Sequence, residues 1–250
     1  MVKGYEYFVL VKSQSRRRHL MNRAGNTIFE ITFPDDGKVR SRTIVSRSRA
    51  RPTGKYPSFK MGRMIQWESH NELNAFRLLD ANPAVTDYHE QPLTIQFVLN
   101  GENHIHFPDV LVQRGQSREL WEIKPRQEAL RFQYIERTRF LEATLPSFGY
   151  QYRMVLADEL SAQPRLSNVL MLLKYGREPV GDVEREHVRN ILGRLPSINW
   201  AAAVRGDLGP RGRALLCRLA LDGVLTVDIE TAEISGATEF RQAAIALVEG

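Results

Sequence analysis

The middle of the chain holds the residues whose types and spacing could do chemistry together. Asp109 precedes an apolar run, and Glu122 and Lys124 flank Ile123 within a second apolar run. Because side chains alternate between the two faces of a strand, Glu122 and Lys124 share one face. A tight hairpin at residues 114–118 brings Asp109 beside them. Two carboxylates and one ammonium group at one place predict metal-assisted hydrolysis of a phosphodiester bond.

Each of these groups has a role in that chemistry. Mg²⁺ prefers oxygen ligands, so Asp109, Glu122 and the carbonyl oxygen of Ile123 are candidate metal ligands, and Mn²⁺ is expected to substitute. The metal would polarise the phosphate and help to generate hydroxide. Lys124 would orient the attacking water or neutralise the developing charge. The alternative is a cross-strand cluster of salt bridges on a solvated sheet, which is common and contributes little to stability.

A further candidate, Glu72, lies on a predicted helix at residues 69–79. It shares one stripe of that helix with Phe76 and Leu79, where a carboxylate needs a partner, and a metal ion would serve. Ser69 and Glu72 also have the spacing of a capping box, which satisfies backbone N–H groups at the start of a helix. A Glu72 side chain that reaches the cap would not reach the metal. The spacing alone leaves both roles open.

The segments around these residues predict an α/β or α+β fold with a mixed sheet flanked by helices. Four strands, a long amphipathic helix, a strand and a short helix follow the first helix, at residues 85–89, 93–99, 104–112, 119–123, 127–145, 150–156 and 166–175. Turn glycines separate the last three of the four strands, which we expect to form an antiparallel meander. His104 and His106 alternate away from Asp109 and lack further zinc ligands, so we expect them at the surface or facing DNA.

The chain is expected to divide into three parts. Residues 1–66 form a basic segment packed on a nuclease core, residues 67–176 form that core, and residues 177–250 form a small C-terminal domain. In the last part, helices at residues 182–192, 198–205 and 211–221 precede strands at 224–229 and 238–243, which suggests a winged-helix-like domain. This part carries more acidic than basic side chains, so we expect it to dock a protein rather than to bind DNA.

Charge is distributed unevenly along the 250 residues. Residues 1–66 hold 15 Lys and Arg against 4 Asp and Glu, whereas the whole chain has a formal net charge of +6. This clustering indicates a phosphate-bearing partner, although an Arg-rich composition on a solvated surface is the alternative. The candidate DNA contacts are Arg47, Arg49, Arg51, Lys55, Lys60, Arg63 and Gln91. For Gln91, the alternative to contacting phosphate is support of the active site, and an exposed side chain at a strand end is an equally good interpretation.

The composition excludes several other classes of protein. The single cysteine, Cys217, excludes an internal disulfide framework and a multi-cysteine zinc site. No apolar run approaches the roughly 18 residues that a membrane span needs, and residues 1–12 lack the features of a secretory signal. We therefore expect a cytoplasmic protein without a membrane partner.

Four motifs together resemble a known family. They are Trp67-Glu-Ser-His-Asn-Glu72-Leu-Asn-Ala-Phe76, Glu90-Gln-Pro-Leu93, Phe107-Pro-Asp-Val-Leu-Val112 and Trp121-Glu-Ile-Lys-Pro125. With these motifs in this order, the chain resembles TnsA, the endonuclease subunit of heteromeric bacterial cut-and-paste transposases. The resemblance implies the restriction-endonuclease-like fold of the PD-(D/E)xK superfamily.

The resemblance also implies site residues and partners. The family's helix glutamate falls on Glu72, its strand aspartate on Asp109 and its lysine on Lys124, while Glu122 stands where the family can have Gln. The implied activity is Mg²⁺-dependent cutting of double-stranded DNA at transposon ends, on the strand that is not joined to the target. A TnsB-like DDE transposase and a TnsC-like ATPase regulator are the implied partners, at the bacterial nucleoid.

Two other functions fit the same residues. A self-sufficient restriction or repair nuclease would cut DNA with Mg²⁺ and no partner. A non-catalytic DNA-binding adaptor would keep its carboxylates for structural reasons alone. A transposase subunit, by contrast, is expected to be nearly silent without its partners.

Overall fold

The strand that carries Glu122 and Lys124 lies inside a four-stranded mixed sheet. The computed structural model describes residues 25–34, 40–41 and 52–244. The strands in this part of the chain are β1 (Thr27–Thr32), β2 (Gly54–Ser58), β3 (Arg63–Trp67), β4 (Asp87–Glu90), β5 (Thr94–Leu99), β6 (Glu102–His106), β7 (Val110–Arg114), β8 (Ser117–Lys124), β9 (Gln151–Leu156), β10 (Ile198–Asn199), β11 (Leu225–Val227) and β12 (Glu239–Gln242).

The helices of the same part connect and cover these strands. They are α1 (His70–Ala81), α2 (Arg126–Ala129), α3 (Phe132–Thr144), α4 (Ala157–Leu160), α5 (Arg165–Tyr175), α6 (Asp182–Leu192), α7 (Trp200–Arg205) and α8 (Gly212–Leu221), and a 3₁₀ turn at Leu145–Phe148 follows α3. In the described part of the chain, none of the helices has the length and apolarity to cross a membrane.

The central sheet has the strand order β4-β7-β8-β9. The first three strands pair in antiparallel fashion, and β9 runs parallel to β8. Helix α1 covers one face, where Phe76 packs in the same cluster as Ile123. Helix α3 covers the other face, where Phe140 packs with Leu120. A mixed sheet between helices confirms the predicted α+β fold.

The prediction of a single strand at residues 104–112 is wrong. The structure has two strands there, β6 and β7, and they belong to different sheets, because β6 pairs with β5 and β5 pairs with β1. Pro108 lies between them, and a proline has no N–H group with which to continue a ladder of hydrogen bonds. The expected meander is therefore two hairpins, β5–β6 and β7–β8.

The end of β6 before Pro108 also determines which way the His106 side chain points. His106 is 5% exposed, so its predicted place at the surface is wrong. Its ring lies edge-on to that of Tyr152, with 5.8 Å between the ring centres. His104 keeps partial exposure and stacks on Phe97. The alternation of faces cannot be counted through Pro108, because the chain changes sheets at that point.

The long helix predicted at residues 127–145 is divided into α2 and α3. Leu130 and Arg131 separate the two helices, and Arg131 has extended backbone angles. Leu130 is 68% exposed. The buried side chains of α3 are Phe140 and Leu141, so the core holds only the C-terminal half of the predicted helix.

The C-terminal part has the winged-helix-like order of elements that the sequence indicated. The β11–β12 hairpin follows the helices α6, α7 and α8, and the short strand β10 joins it in the order β10-β12-β11. The helix predicted at residues 198–205 begins later than expected. The reason is that Asn199 caps α7 and accepts a hydrogen bond from the N–H group of Ala202 at 3.0 Å.

A hydrophobic cluster crosses the predicted boundary at residue 176. Val169 and Leu172 of α5 pack in one cluster with Leu216 of α8. Gly176 permits this approach, because a Cβ atom there would lie 2.9 Å from the backbone nitrogen of Arg218. The division into residues 1–66, 67–176 and 177–250 stays a prediction.

The buried carboxylate of Asp80 links the β2–β3 hairpin to α1 through hydrogen bonds. Asp80 is fully buried. Five donors reach it: the hydroxyl groups of Tyr56 (2.8 Å), Ser58 (2.5 Å) and Tyr88 (3.2 Å), and the backbone N–H groups of Phe59 and Lys60 (both 3.2 Å). Burial and the Asp80 charge raise the pKa of Tyr56 and of Tyr88 far above the usual range, so both tyrosines stay protonated donors.

Candidate active site

Asp109 lies just before β7, beside the end of β8. Its backbone N–H group donates to the carbonyl oxygen of Trp121 at 2.9 Å and so extends the ladder between the two strands. Its side-chain Oδ2 accepts a hydrogen bond from the backbone N–H group of Ile123 at 2.7 Å. The structure therefore places the Asp109 carboxylate against the backbone of the Glu122–Lys124 segment.

Glu122 is 4% exposed, and basic side chains surround its carboxylate. Nζ of Lys124 and one terminal guanidinium nitrogen of Arg137 each lie 2.9 Å from its Oε1 atom. Nε2 of His106 lies 3.6 Å from its Oε2 atom. Lys124 also donates to the carbonyl oxygen of Ile123 at 3.4 Å. The structure thus brings Asp109, Glu122, Ile123 and Lys124 together, as the strand pattern predicted.

Arg137 and His106 are the members of this cluster that the sequence did not assign to it. Arg137 comes from α3, and its guanidinium group lies 4.9 Å from the centre of the Tyr134 ring. His106 comes from the end of β6, and its Nε2 lies 3.0 Å from the hydroxyl group of Tyr152. Burial and the nearby cations lower the pKa of His106 well below its usual range, so its ring is neutral. No local spacing links these elements to Glu122.

Lys124 is protonated in these surroundings. Burial by itself would lower its pKa, but the negative charges of Asp109 and Glu122 outweigh burial and hold the pKa above its ordinary value. An ammonium group has three donors and no acceptor. Lys124 can therefore act as a cation and as a hydrogen-bond donor, but not as a general base.

The surroundings of Asp109 oppose its ionisation. Burial and the neighbouring carboxylate of Glu122 raise the pKa of Asp109 well above its ordinary value, while the ammonium group of Lys124 acts in the opposite direction. Carboxyl groups with pKa values perturbed in this way cluster at functional sites. A bound cation would stabilise the ionised form of Asp109 and so relieve the repulsion between the two carboxylates.

The segment that contains this cluster has known relatives. Residues 82–156 match the family model of the N-terminal domain of TnsA-like endonucleases. Over this range the chain is similar to TnsA-like endonucleases. The match confirms the resemblance that the motifs indicated, and a domain of this kind suggests a nuclease associated with a transposase. No curated protein matches the chain.

The matched range includes Asp109, Glu122 and Lys124 but begins after Glu72, whose side chain forms a cap on α1. The N–H group of Glu68 donates to its Oε2 atom at 2.9 Å, and the hydroxyl group of Ser69 donates to its Oε1 atom at 3.0 Å. Burial raises the pKa of Glu72, and these two donors oppose the shift. The capping role is therefore realised in this conformation, and the metal-ligand role stays a prediction.

The sequence predicts a divalent metal at this cluster, and the donor atoms there suit one. Asp109, Glu122 and the carbonyl group of Ile123 offer hard oxygen atoms, which Mg²⁺ prefers. In the described residues, however, no three His, Cys, Asp or Glu side chains already stand together as a metal site. Lys124 and Arg137 make the cationic contacts of Glu122 instead. The donors therefore fit a cation that competes with these two side chains.

Two of the predicted DNA contacts are used inside the protein. Arg63 donates two hydrogen bonds, of 2.9 and 2.7 Å, to the buried carboxylate of Glu90. Lys60 donates to two backbone carbonyl oxygens just beyond α1, at 2.7 and 2.5 Å. Lys55 keeps an exposed side chain on β2. The other three candidates, Arg47, Arg49 and Arg51, lie outside the residues that the structure describes.

Gln91 supports the backbone next to the cluster. It is 8% exposed, so the interpretation as an exposed strand-end side chain is wrong. Its backbone N–H group donates to the carbonyl oxygen of Asp109 at 2.9 Å, and its side-chain amide donates to Glu68 at 3.0 Å. The chain reverses here with a φ of 44°. Gln91 thus joins the α1 cap to Asp109, and contact with DNA stays a prediction.

Replacing Glu72 with Gln separates its two roles. Gln keeps an acceptor oxygen for the cap, so the variant should stay within about 1 kcal/mol of wild-type stability. It loses the negative charge, so cleavage should fall by at least about ten-fold if Glu72 binds the metal. Thermal unfolding and cleavage of a duplex substrate measure the two effects. Ser69→Ala, which weakens the cap and keeps the charge, is the control. Unchanged cleavage in Glu72→Gln would make Glu72 a cap alone.

Proposed function

We propose that this chain is the DNA-cutting subunit of a heteromeric transposase, and that it cuts the non-transferred strand of double-stranded DNA at transposon ends. The observation that supports the proposal is the convergence of Asp109, Glu122 and Lys124 at the end of β8, within the TnsA-like domain. Two carboxylates and one ammonium group at a single point suit the hydrolysis of a phosphodiester bond.

In this proposal Asp109, Glu122 and the carbonyl group of Ile123 hold Mg²⁺ or Mn²⁺, and Glu72 becomes a further ligand when its side chain leaves the cap. The metal, when bound, polarises the phosphate and makes a water molecule more acidic. The N–H group of Ile123 fixes the orientation of the Asp109 carboxylate. Lys124 and Arg137 fix that of Glu122. The chain therefore holds its oxygen donors in place by its own hydrogen bonds.

Lys124 and Arg137 supply positive charge where the reacting phosphate gains negative charge. The side chain of each is 21% exposed, so a phosphate group can approach both. The pKa of Lys124 lies above its ordinary value, so this charge persists at neutral pH. We assign to Lys124 the orientation of the attacking water and the neutralisation of the developing charge.

The TnsA-like match favours a subunit that depends on partners over a self-sufficient restriction or repair nuclease, because it suggests a nuclease associated with a transposase. Such a subunit is expected to be nearly silent alone. The proposed partners are a TnsB-like DDE transposase, which cuts and joins the other strand, and a TnsC-like ATPase regulator. The proposed place of action is the bacterial cytoplasm, at the nucleoid.

Reconstitution on a labelled transposon-end duplex tests this proposal. The full chain would be incubated with Mg²⁺, alone and together with the proposed TnsB-like transposase and TnsC-like ATPase. We expect a cut in the non-transferred strand only in the complete mixture, and no such cut with Asp109→Ala. Efficient cutting by the chain alone would indicate a restriction or repair nuclease. DNA binding without a cut in any mixture would indicate a non-catalytic adaptor.

A further inference from the structure

A second concave site lies on the flank of α1, outside the cluster of Asp109 and Glu122. The pocket has a volume of about 390 Å³ and lies between the β2–β3 hairpin, α1 and α5. Four cationic side chains line it: Lys55, Arg77, Lys174 and Arg177. The other lining residues are aromatic or apolar, and none of the lining residues is acidic. We refer to this site as the basic pocket.

The four cations of the basic pocket lack carboxylate partners in the described part of the chain. Arg77 donates one hydrogen bond, at 3.2 Å, to the neutral side chain of Asn74. Lys174 lies 5.5 Å from the centre of the Tyr175 ring. Arg63, in the same part of the fold, differs from them because its guanidinium group is paired with the buried carboxylate of Glu90. Four uncompensated positive charges around one concavity indicate an anionic ligand.

The floor of the basic pocket is apolar and includes an indole ring. Trp67 ends β3 opposite Gly54 of β2. A Cβ atom on Gly54 would lie 2.4 Å from the indole ring, so glycine allows the ring to lie against the β2 backbone. Leu73 and Leu173 line the same floor. The pocket thus combines a held aromatic surface with cations at its rim, which is how proteins bind nucleotide units of single strands.

The basic pocket is connected to the candidate active site by a short chain of hydrogen bonds. Trp67 precedes Glu68, whose carboxylate accepts the side-chain amide of Gln91 at 3.0 Å. Gln91 in turn donates its backbone N–H group to the carbonyl oxygen of Asp109 at 2.9 Å. Leu73, which lines the pocket, directly follows Glu72 on α1, and the charge of Lys124 acts on Glu72, so the pocket lies near the cluster.

We propose that the basic pocket binds a nucleotide unit of the DNA strand beside the cleavage site. Its phosphates meet the four cations, and its base or sugar lies on Trp67 and the leucine floor. This inference rests on the proposed function, which brings DNA to the neighbouring site. An acidic peptide is the other ligand that the charges would admit. The observations favour a nucleotide, because a held indole at the floor suits a base and the pocket adjoins the nuclease cluster.

Charge reversal at the rim tests the phosphate contacts. The probes are a short single-stranded oligonucleotide and a duplex with a single-stranded extension, and binding is measured by anisotropy without divalent metal. We expect Arg77→Glu and Lys174→Glu each to weaken binding by at least about ten-fold and to reduce the salt slope by about one or more. Arg194→Glu, an equal change of charge at an exposed residue outside the pocket, should weaken binding less than about three-fold. Equal effects in all three variants would overturn the proposal.

Fluorescence of the indole tests the base contact separately. We expect the single-stranded probe to quench tryptophan emission of the wild-type chain and to leave Trp67→Phe nearly unquenched, because Trp121 and Trp200 lie elsewhere. Trp67→Phe keeps an aromatic ring, and its far-ultraviolet spectrum and melting curve check that it is folded. Equal quenching in both proteins would overturn the base contact.

Two outcomes separate this inference from the proposed function. If Arg77→Glu binds DNA like Arg194→Glu while wild type still cuts the transposon end, the pocket assignment fails and the proposed function stands. If the rim variants lose DNA binding while no mixture cuts DNA, the pocket assignment stands and the proposed function fails. Binding of a glutamate-rich peptide that is lost in Arg77→Glu, without a change in DNA affinity, would assign the pocket to a protein partner and overturn the inference.

Discussion

Asp109→Asn is expected to reduce the rate of DNA cleavage by at least about a thousand-fold. The same variant is expected to raise the stability of the fold at neutral pH. Asn keeps an oxygen that accepts the N–H group of Ile123, so the local hydrogen bond survives. It removes a carboxylate whose pKa is raised by burial and by the charge of Glu122. We expect a gain on the order of 1 kcal/mol, seen as a melting temperature higher by about 2–4 °C.

The pH dependence of that gain follows from the direction of the shift. A raised pKa means that the folded state prefers protonated Asp109, so ionisation costs stability. The cost is absent below the ordinary value of 3.8, grows as the pH rises from there to the raised pKa, and is constant above it. The melting temperatures of wild type and variant should therefore converge near pH 4 and separate towards pH 8. Asp207→Asn, at an exposed carboxylate, should show no such divergence. A variant less stable than wild type at pH 8 would contradict the account.

The strand pattern was sufficient to bring the principal site residues together. Alternation along β8 places Glu122 and Lys124 on one face, and the short turn between β7 and β8 returns the chain to Asp109. Both are local properties, set by neighbours within about fifteen positions of each other. The TnsA-like motifs carry the same information, because they combine these local patterns in a fixed order.

The contacts of Glu122 with Arg137 and His106 depend on how separate elements pack. The spacing of residues along the sequence does not predict that packing. Arg137 reaches Glu122 because α3 lies over this face of the sheet, and His106 reaches it because the chain changes sheets at Pro108. The prediction of one strand at residues 104–112 carried the alternation through that break and placed His106 on the wrong side. A proline inside an apparent strand is the signal that should have divided it.

Positive charge in the sequence was a poor guide to which cations face a ligand. Lys60 and Arg63 are close in sequence to Lys55, yet they are tied to backbone carbonyl groups and to Glu90. Arg77 comes from a different segment and lines the basic pocket with Lys55. The difference lies in the acceptors that the fold places beside each cation. Composition can count basic residues, but only the packed structure shows which of them are already neutralised.

Asp80→Ala is expected to cost at least about 3 kcal/mol of the free energy of unfolding, although Asp80 touches no residue of the Asp109 cluster. The carboxylate accepts hydrogen bonds from three buried hydroxyl groups, on β2 and β4, and from two partly buried backbone N–H groups that follow β2. Its removal leaves these donors buried without an acceptor, and each such group costs about 1–3 kcal/mol. Urea unfolding followed by circular dichroism measures the loss.

A graded series shows whether the hydrogen bonds of Asp80, rather than its volume, produce that cost. Tyr88→Phe and Tyr56→Phe each remove one donor together with its need for an acceptor, so each should cost only about 1 kcal/mol. Asp207→Ala, at a half-exposed surface carboxylate, should change stability by less than about 0.5 kcal/mol. In the double variant Asp80→Ala with Tyr88→Phe, one orphaned hydroxyl group is gone, so its loss should be smaller than the sum of the two single losses. Additive losses would show that the cavity, and not the unsatisfied donors, sets the cost of removing Asp80.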